Sequence, residues 1–207
     1  MRKMYLSIAI TILLLLAGLL AAGDYVYRTG TAVYCGHHSY HDQNTPARFF
    51  VPGKDQGPFR GTGWDRWVGT DLSSWWLIDH PYQVVTFSLV DSSIELEAWW
   101  IPSEQSEDKA AVIVTHGVDT SRKDFNTLLP ATMLARRGFN VLLMDLRDSG
   151  GSSCEDGRHS AGQQEANDLL AAASWLEREQ GIPQSRIGIY GVSGGAIAAL
   201  VVAANND

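Results

Sequence analysis

Apolar positions run almost without a break over residues 6–22, interrupted only by Ser7, Thr11 and Gly18, and Arg2 and Lys3 stand in front of them. The run sits at the lower end of the roughly 17–25 residues that a membrane-spanning helix needs. It exceeds the apolar core of roughly 7–15 residues of a cleaved signal peptide. Residues 1–23 therefore read as a signal-anchor or transmembrane helix. Cleavage near Ala21-Ala22-Gly23 and a buried helix of a soluble domain are the alternatives. Either exported reading keeps the positive flank inside and places the bulk of the chain outside the cytoplasm.

Residues 24–82 lose all sustained periodicity. They are rich in glycine, proline and aromatics, with tryptophans at 64, 67, 75 and 76. A disordered linker is poor in such residues, so this stretch is expected to be an irregular lead-in or cap packed on a main domain.

Regular patterning resumes at residue 83. Residues 83–90 and 94–100 alternate as two strands around the polar turn Asp91-Ser92-Ser93, which predicts a hairpin. A polar loop follows over residues 102–108. Residues 109–115 carry Ala-Ala-Val-Ile-Val, a run suited to a strand buried on both faces. A helix is predicted over 126–137, with Pro130 in its first turn and Gly138 as its stop. A second buried strand covers 140–144. Ser160-Ala161-Gly162-Gln163 has the form of a capping box. It precedes a helix whose apolar face is Leu169, Leu170, Ala173 and Leu176 and which ends at Gly181 and Pro183. A strand over 186–190 and a small-residue helix over 196–204 complete the series. Such alternation predicts an α/β domain over residues 83–207: a leading hairpin, then a mostly parallel sheet with helices on both faces.

Composition adds limits more than direction. The chain has 207 residues, 45% of them hydrophobic and 19% charged, and a formal net charge of −7, which gives no general affinity for nucleic acid. Cys35 and Cys154 are its two cysteines. An exported chain can join them, but nothing in the sequence places them together, and two separate thiols fit equally well.

The chemistry concentrates in Gly191-Val192-Ser193-Gly194-Gly195, which has a strand before it and a helix after it. A G-x-S-x-G at a strand-to-helix turn makes its serine an exposed nucleophile, so Ser193 is the candidate catalytic residue. Gly191, Gly194 and Gly195 let the turn bend and the helix pack closely. His116-Gly117-Val118 ends an earlier buried strand, and the C-terminal ends of parallel strands gather at one edge. The backbone N–H groups of Val118 and Gly194 are then the candidate oxyanion donors. His116 is tempting as a base, but with Gly117 it reads as a loop-shaping residue.

Residues 112–117, then 144–152, then 186–195 resemble, in order and spacing, the α/β-hydrolase superfamily. Within it the chain looks like the membrane-anchored, serine-peptidase-like and prolyl-oligopeptidase-like hydrolases. The resemblance covers roughly residues 83–207. It implies a triad running serine, acid, histidine, with the last two on later loops. It also implies that Asp145 and Asp148 organise a structural turn with an arginine and do not serve as the triad acid. Here no histidine follows Ser193, and the one later acid is Asp207. The expectation is a fragment cut after the nucleophile elbow, lacking the triad acid and histidine and inactive alone.

Two other clusters stand out in the sequence. Cys35-Gly36-His37-His38-Ser39-Tyr40-His41 holds soft and imidazole ligands, but its spacing fits no standard zinc pattern, so surface or loop histidines are expected and no metal site is assigned. The seven tryptophans read as core and cap packing ahead of ligand stacking, with Trp99 and Trp100 on opposite strand faces. The expected function is a serine hydrolase acting on a small-molecule acyl ester, thioester or peptide bond through an acyl-serine, with no cofactor and no nucleic-acid partner. A non-catalytic, membrane-tethered binding or scaffold module is the alternative.

Overall fold

A computed structural model describes residues 2–54, 56, 63–90, 92–103 and 110–205. Asp91, most of the loop expected over 102–108, Lys109, Asp207 and the side chains of Arg2, Lys3 and Trp64 lie outside what is described.

The chain divides into two units, residues 1–32 and 33–207. The first is one helix, α1, Arg2–Thr31. Its stretch Met4–Thr31 contains an 18-residue window of mean hydropathy 2.5 and is long and apolar enough to cross a membrane. The helix continues past the boundary expected at residue 23 because local bonds carry it onward. Arg28 pairs with Asp24 four residues back at 2.8 Å, and the Thr29 and Thr31 hydroxyls donate to the carbonyls of Tyr25 and Tyr27. Residues 24–31 are thus helical, not part of an irregular lead-in.

The second unit is built on a five-stranded sheet of order β1-β2-β4-β3-β5. Its strands are β1 (Gln83–Ser88), β2 (Glu95–Ile101), β3 (Ala111–Thr115), β4 (Asn140–Met144) and β5 (Ile187–Gly191). The β1–β2 hairpin is antiparallel, β2 runs antiparallel to β4, and β3 pairs in parallel with both β4 and β5. This is the leading hairpin and mostly parallel sheet that the pattern predicts.

Alternation along the strands feeds two cores. On one face Leu96, Ala98, Trp100, Ile113, Leu142 and Met144 pack against α3 (Glu165–Gln180) and α4 (Gly194–Asn205). On the other, Trp99, Ile101, Val114 and Leu143 pack against α2 (Phe125–Arg136) and against Phe49, Leu72 and Leu77 from the lead-in. Trp99 and Trp100 therefore serve opposite faces. The lead-in acts as a second covering layer beside α2, which explains its aromatic content.

Two helix starts differ from expectation. Asp124 caps α2 by accepting from the Asn126 N–H at 2.9 Å, so Pro130 falls in the second turn, inside the helix. At α3 the reciprocal partner of Ser160 is Glu165, not Gln163. The Glu165 carboxylate accepts from the N–H groups of Ser160 and Gly162, both at 2.9 Å, while Ser160 Oγ accepts from the Gln164 N–H. Ala161 and Gly162 adopt positive φ and delay the helix.

Cys35 and Cys154 are joined in a disulfide with Cα atoms 5.9 Å apart, which resolves the two open readings in favour of pairing.

Candidate active site

Parallel pairing of Thr115 with Gly191 brings the ends of β3 and β5 side by side. The Val192 N–H extends that register by donating to the Thr115 carbonyl at 3.0 Å. The chain then reverses sharply. Ser193 takes φ 48, a left-handed conformation that L-residues avoid and that functional turns retain. Its carbonyl accepts from Ala196 and Ile197 N–H at 2.9 and 3.1 Å, so the strained residue also starts α4. The side chain is exposed.

Glycine is required around it by contact. A Cβ on Gly191 would collide with the Gly195 backbone, and one on Gly195 with the His116 carbonyl. A Cβ on Gly117 would lie 3.1 Å from Ser193 Cβ, and one on Gly194 would lie 3.2 Å from the Val118 nitrogen. The loop after β3 and the serine turn therefore interlock. Val118 and Gly194 are neighbours beside Ser193, and among the described residues neither backbone N–H finds an acceptor.

His116 is fully committed to holding the loop. The Leu146 N–H donates to Nε2 at 3.0 Å, so the ring proton sits on Nδ1 and is donated to the Gly117 carbonyl at 2.7 Å. Burial holds the imidazole below its ordinary pKa. The ring is a neutral brace between two loops.

The acidic residues after β4 are structural as well. Asp145 accepts from the backbone N–H groups of Arg122 at 2.6 Å and Gly151 at 2.8 Å. The Arg122 guanidinium bridges Asp145 and Glu97 and stacks over Trp99 at 4.7 Å. No sequence signal marks Arg122, from another loop, as the partner of Asp145. Arg147 instead pairs with Asp168 at 2.7 Å and Glu155 at 2.9 Å, and Asp148 Oδ1 accepts from the Glu155 and Gly157 N–H groups.

The histidine cluster is not on the surface. His41 is buried, and Ser121 Oγ lies 3.1 Å from its Nε2 and 3.2 Å from His37 Nδ1. His38 faces Asp119 at 3.4 Å, and Asp119 accepts from the Tyr34 N–H at 3.0 Å. Residues 34–41 thus fasten the loop that carries Val118. His37, Glu97 and Asp145 converge as metal ligands would, but the Arg122 guanidinium already neutralises both carboxylates. The remaining histidines, His80 and His159, meet the Pro102 carbonyl and the Ala161 N–H. Among the described residues no side chain hydrogen-bonds the Ser193 hydroxyl.

The sequence model of the prolyl oligopeptidase family, Peptidase_S9, matches residues 125–207. Among solved structures, the chain is similar to an esterase of Pyrococcus furiosus, at 30% identity and a TM-score of 0.53, over 61% of this chain and 48% of that one. It is similar to an alpha/beta hydrolase from Penicillium sp. sh18 at 26% identity and a TM-score of 0.52, over 61% and 42%. A dienelactone hydrolase from Anabaena variabilis, 24% identical with a TM-score of 0.51 over 61% and 58%, shares the fold. The chain spans about half the length of these structures. No match is found among curated proteins.

Proposed function

Because the chain belongs to the α/β-hydrolase superfamily, we propose that it is the nucleophile-bearing part of a serine hydrolase acting on an acyl ester, thioester or peptide bond. The observation that carries this is the exposed Ser193 at φ 48, set against the Gly117-Val118 loop. Ser193 Oγ attacks the carbonyl carbon. Negative charge then builds on the carbonyl oxygen and is stabilised by the N–H groups of Val118 and Gly194, which need no reorganisation. The tetrahedral centre collapses to an acyl-serine and expels the leaving group, and water releases the acid. Gly191 and Gly195 shape the turn, and His116 and Gly117 brace the loop.

The serine proton must pass to a base. No histidine of the chain contacts Ser193, so the base and the acid that orients it come from outside the described residues. Until that base is supplied, the site has at most the oxyanion contribution, far below an intact triad. The second reading, a non-catalytic module, draws on that same unpartnered hydroxyl.

α1 is assigned as the membrane anchor, with residues 33–207 on the exported side. The Cys35–Cys154 disulfide fits that compartment.

A fluorophosphonate probe is expected to label Ser193 slowly, at the rate the oxyanion donors alone support, as mapped by mass spectrometry, and to lose the site in Ser193→Ala. Turnover of p-nitrophenyl acetate by the 207-residue chain is expected to stay near background. Labelling that survives Ser193→Ala, or no labelling at all, supports the scaffold reading.

A further inference from the structure

Beside the two unpartnered N–H groups lies a small cavity of about 80 Å³, bounded by Val118 and Gly194 and walled by Val33, Leu146, Ala161 and Ile197. We propose that this cavity receives the acyl chain of the substrate and limits it to about two to four carbons. The assignment rests on the serine-hydrolase reading and adds a substrate class to it.

Three observations lead there. The cavity begins at the residues beside which the carbonyl oxygen would sit, so a short substituent on the carbonyl carbon can reach it. Three of its charged neighbours are already engaged. Glu165 accepts from Ser160 and Gly162, Arg147 is paired with Asp168 and Glu155, and Asp119 accepts from Tyr34. A charged or hydrogen-bonding substituent placed there would give up water without gaining those partners, whereas hydrocarbon gains burial at no such cost. Size decides the rest. A cavity of about 150 Å³ holds a benzene ring, so one of about half that volume takes a short alkyl chain only.

The wall also has an adjustable point. Ile197 stands on the first turn of α4 with its side chain half exposed, so it can change size without opening the core. Gly162 keeps its backbone against Ile197 and Ala198, which closes that end.

The test uses linear alkylboronic acids from ethyl to octyl and the full 207-residue chain. Ser193 Oγ adds to the trigonal boron, its proton leaves to solvent, and the tetrahedral adduct carries the alkyl group where an acyl chain would lie. Binding is read by calorimetry and by the boron-11 resonance, with Ser193→Ala as the reference. Affinity is expected to rise about fourfold per methylene up to butyl and then to stop rising. Ile197→Ala should move that limit to longer chains, and Ile197→Trp should move it to ethyl. The two variants act in opposite directions, so misfolding of one leaves the other decisive. Serine-dependent binding that is indifferent to chain length, or that keeps rising through octyl unchanged by either variant, overturns the pocket and leaves the nucleophile standing. Absence of any serine-dependent adduct overturns the nucleophile reading and the pocket with it.

Discussion

At the scale of single residues, the site is held by backbone that has no room for a side chain. Gly195→Ala would drive a methyl group into the His116 carbonyl. The expected cost is about 1–3 kcal/mol of stability, read by denaturant unfolding, together with loss of probe labelling at Ser193. The buried histidines set a pH dependence. His41 is held down to about 3 by burial and by the neighbouring His38 and His37, and burial also lowers His37 and His116. The unfolded chain therefore binds more protons below about pH 6.5, so these groups stabilise the fold above that pH and lose their contribution as pH falls. Asp124 and Asp168 work the other way. Burial raises each to about 6, so the fold gains from their protonation as pH drops toward 4. The histidines outnumber them, and melting temperature should fall from pH 7 to 5. His41→Gln should flatten that limb by up to about 1.4 kcal/mol per pH unit. Gly191, Gly194 and Gly195 are legible in the sequence because a turn of this type demands glycine. Arg122 is not, since its value comes from Glu97 and Asp145, which only the folded sheet brings to it.

At the scale of elements, strand and helix identity follows from periodicity, and helix starts do not. The run Ala-Ala-Val-Ile-Val has one sensible fate, a strand buried on both faces, and β3 takes it. The start of α3 turns on whether Ser160 is answered three or five residues on, and positive φ at Ala161 and Gly162 decides for Glu165. The burial of the histidine loop is hidden from the sequence for a related reason. Short spacing between imidazoles says nothing about what packs over them, and here the loop after β3 does so through Ser121. Tying that segment to the loop after β4 is the work of the disulfide. Cys35→Ser is expected to cost about 2–5 kcal/mol, measured by thermal unfolding, and the same loss should follow reduction of the unmutated chain.

For the 207 residues as a whole, the sheet carries Ser193 beside its β5 edge. Among the described residues β5 pairs only with β3. Beside it Tyr190, Ile197 and Leu200 are 45%, 47% and 69% exposed. A further strand or a second chain can add at a strand edge flanked by apolar surface. Leu200→Lys with Tyr190→Lys is expected to lower self-association of detergent-solubilised protein, measured by light scattering, without changing its helix content. The polar-apolar pattern predicts each strand but not its place in the order, so only the assembled sheet shows that this edge adjoins the serine.

The bond between Cys35 and Cys154 also makes the intervening chain a closed covalent ring. β1 to β4 and α2 belong to the ring, whereas α3, β5, Ser193 and α4 hang from it as an arm. One protease cut inside the ring leaves a single molecule that parts only when reductant is added. One cut in the stretch between Gly157 and Gly162 instead frees the arm from every covalent tie. Only the parallel pairing of β5 with β3 and the packing of α3 and α4 then keep Ser193 beside the Gly117-Val118 loop.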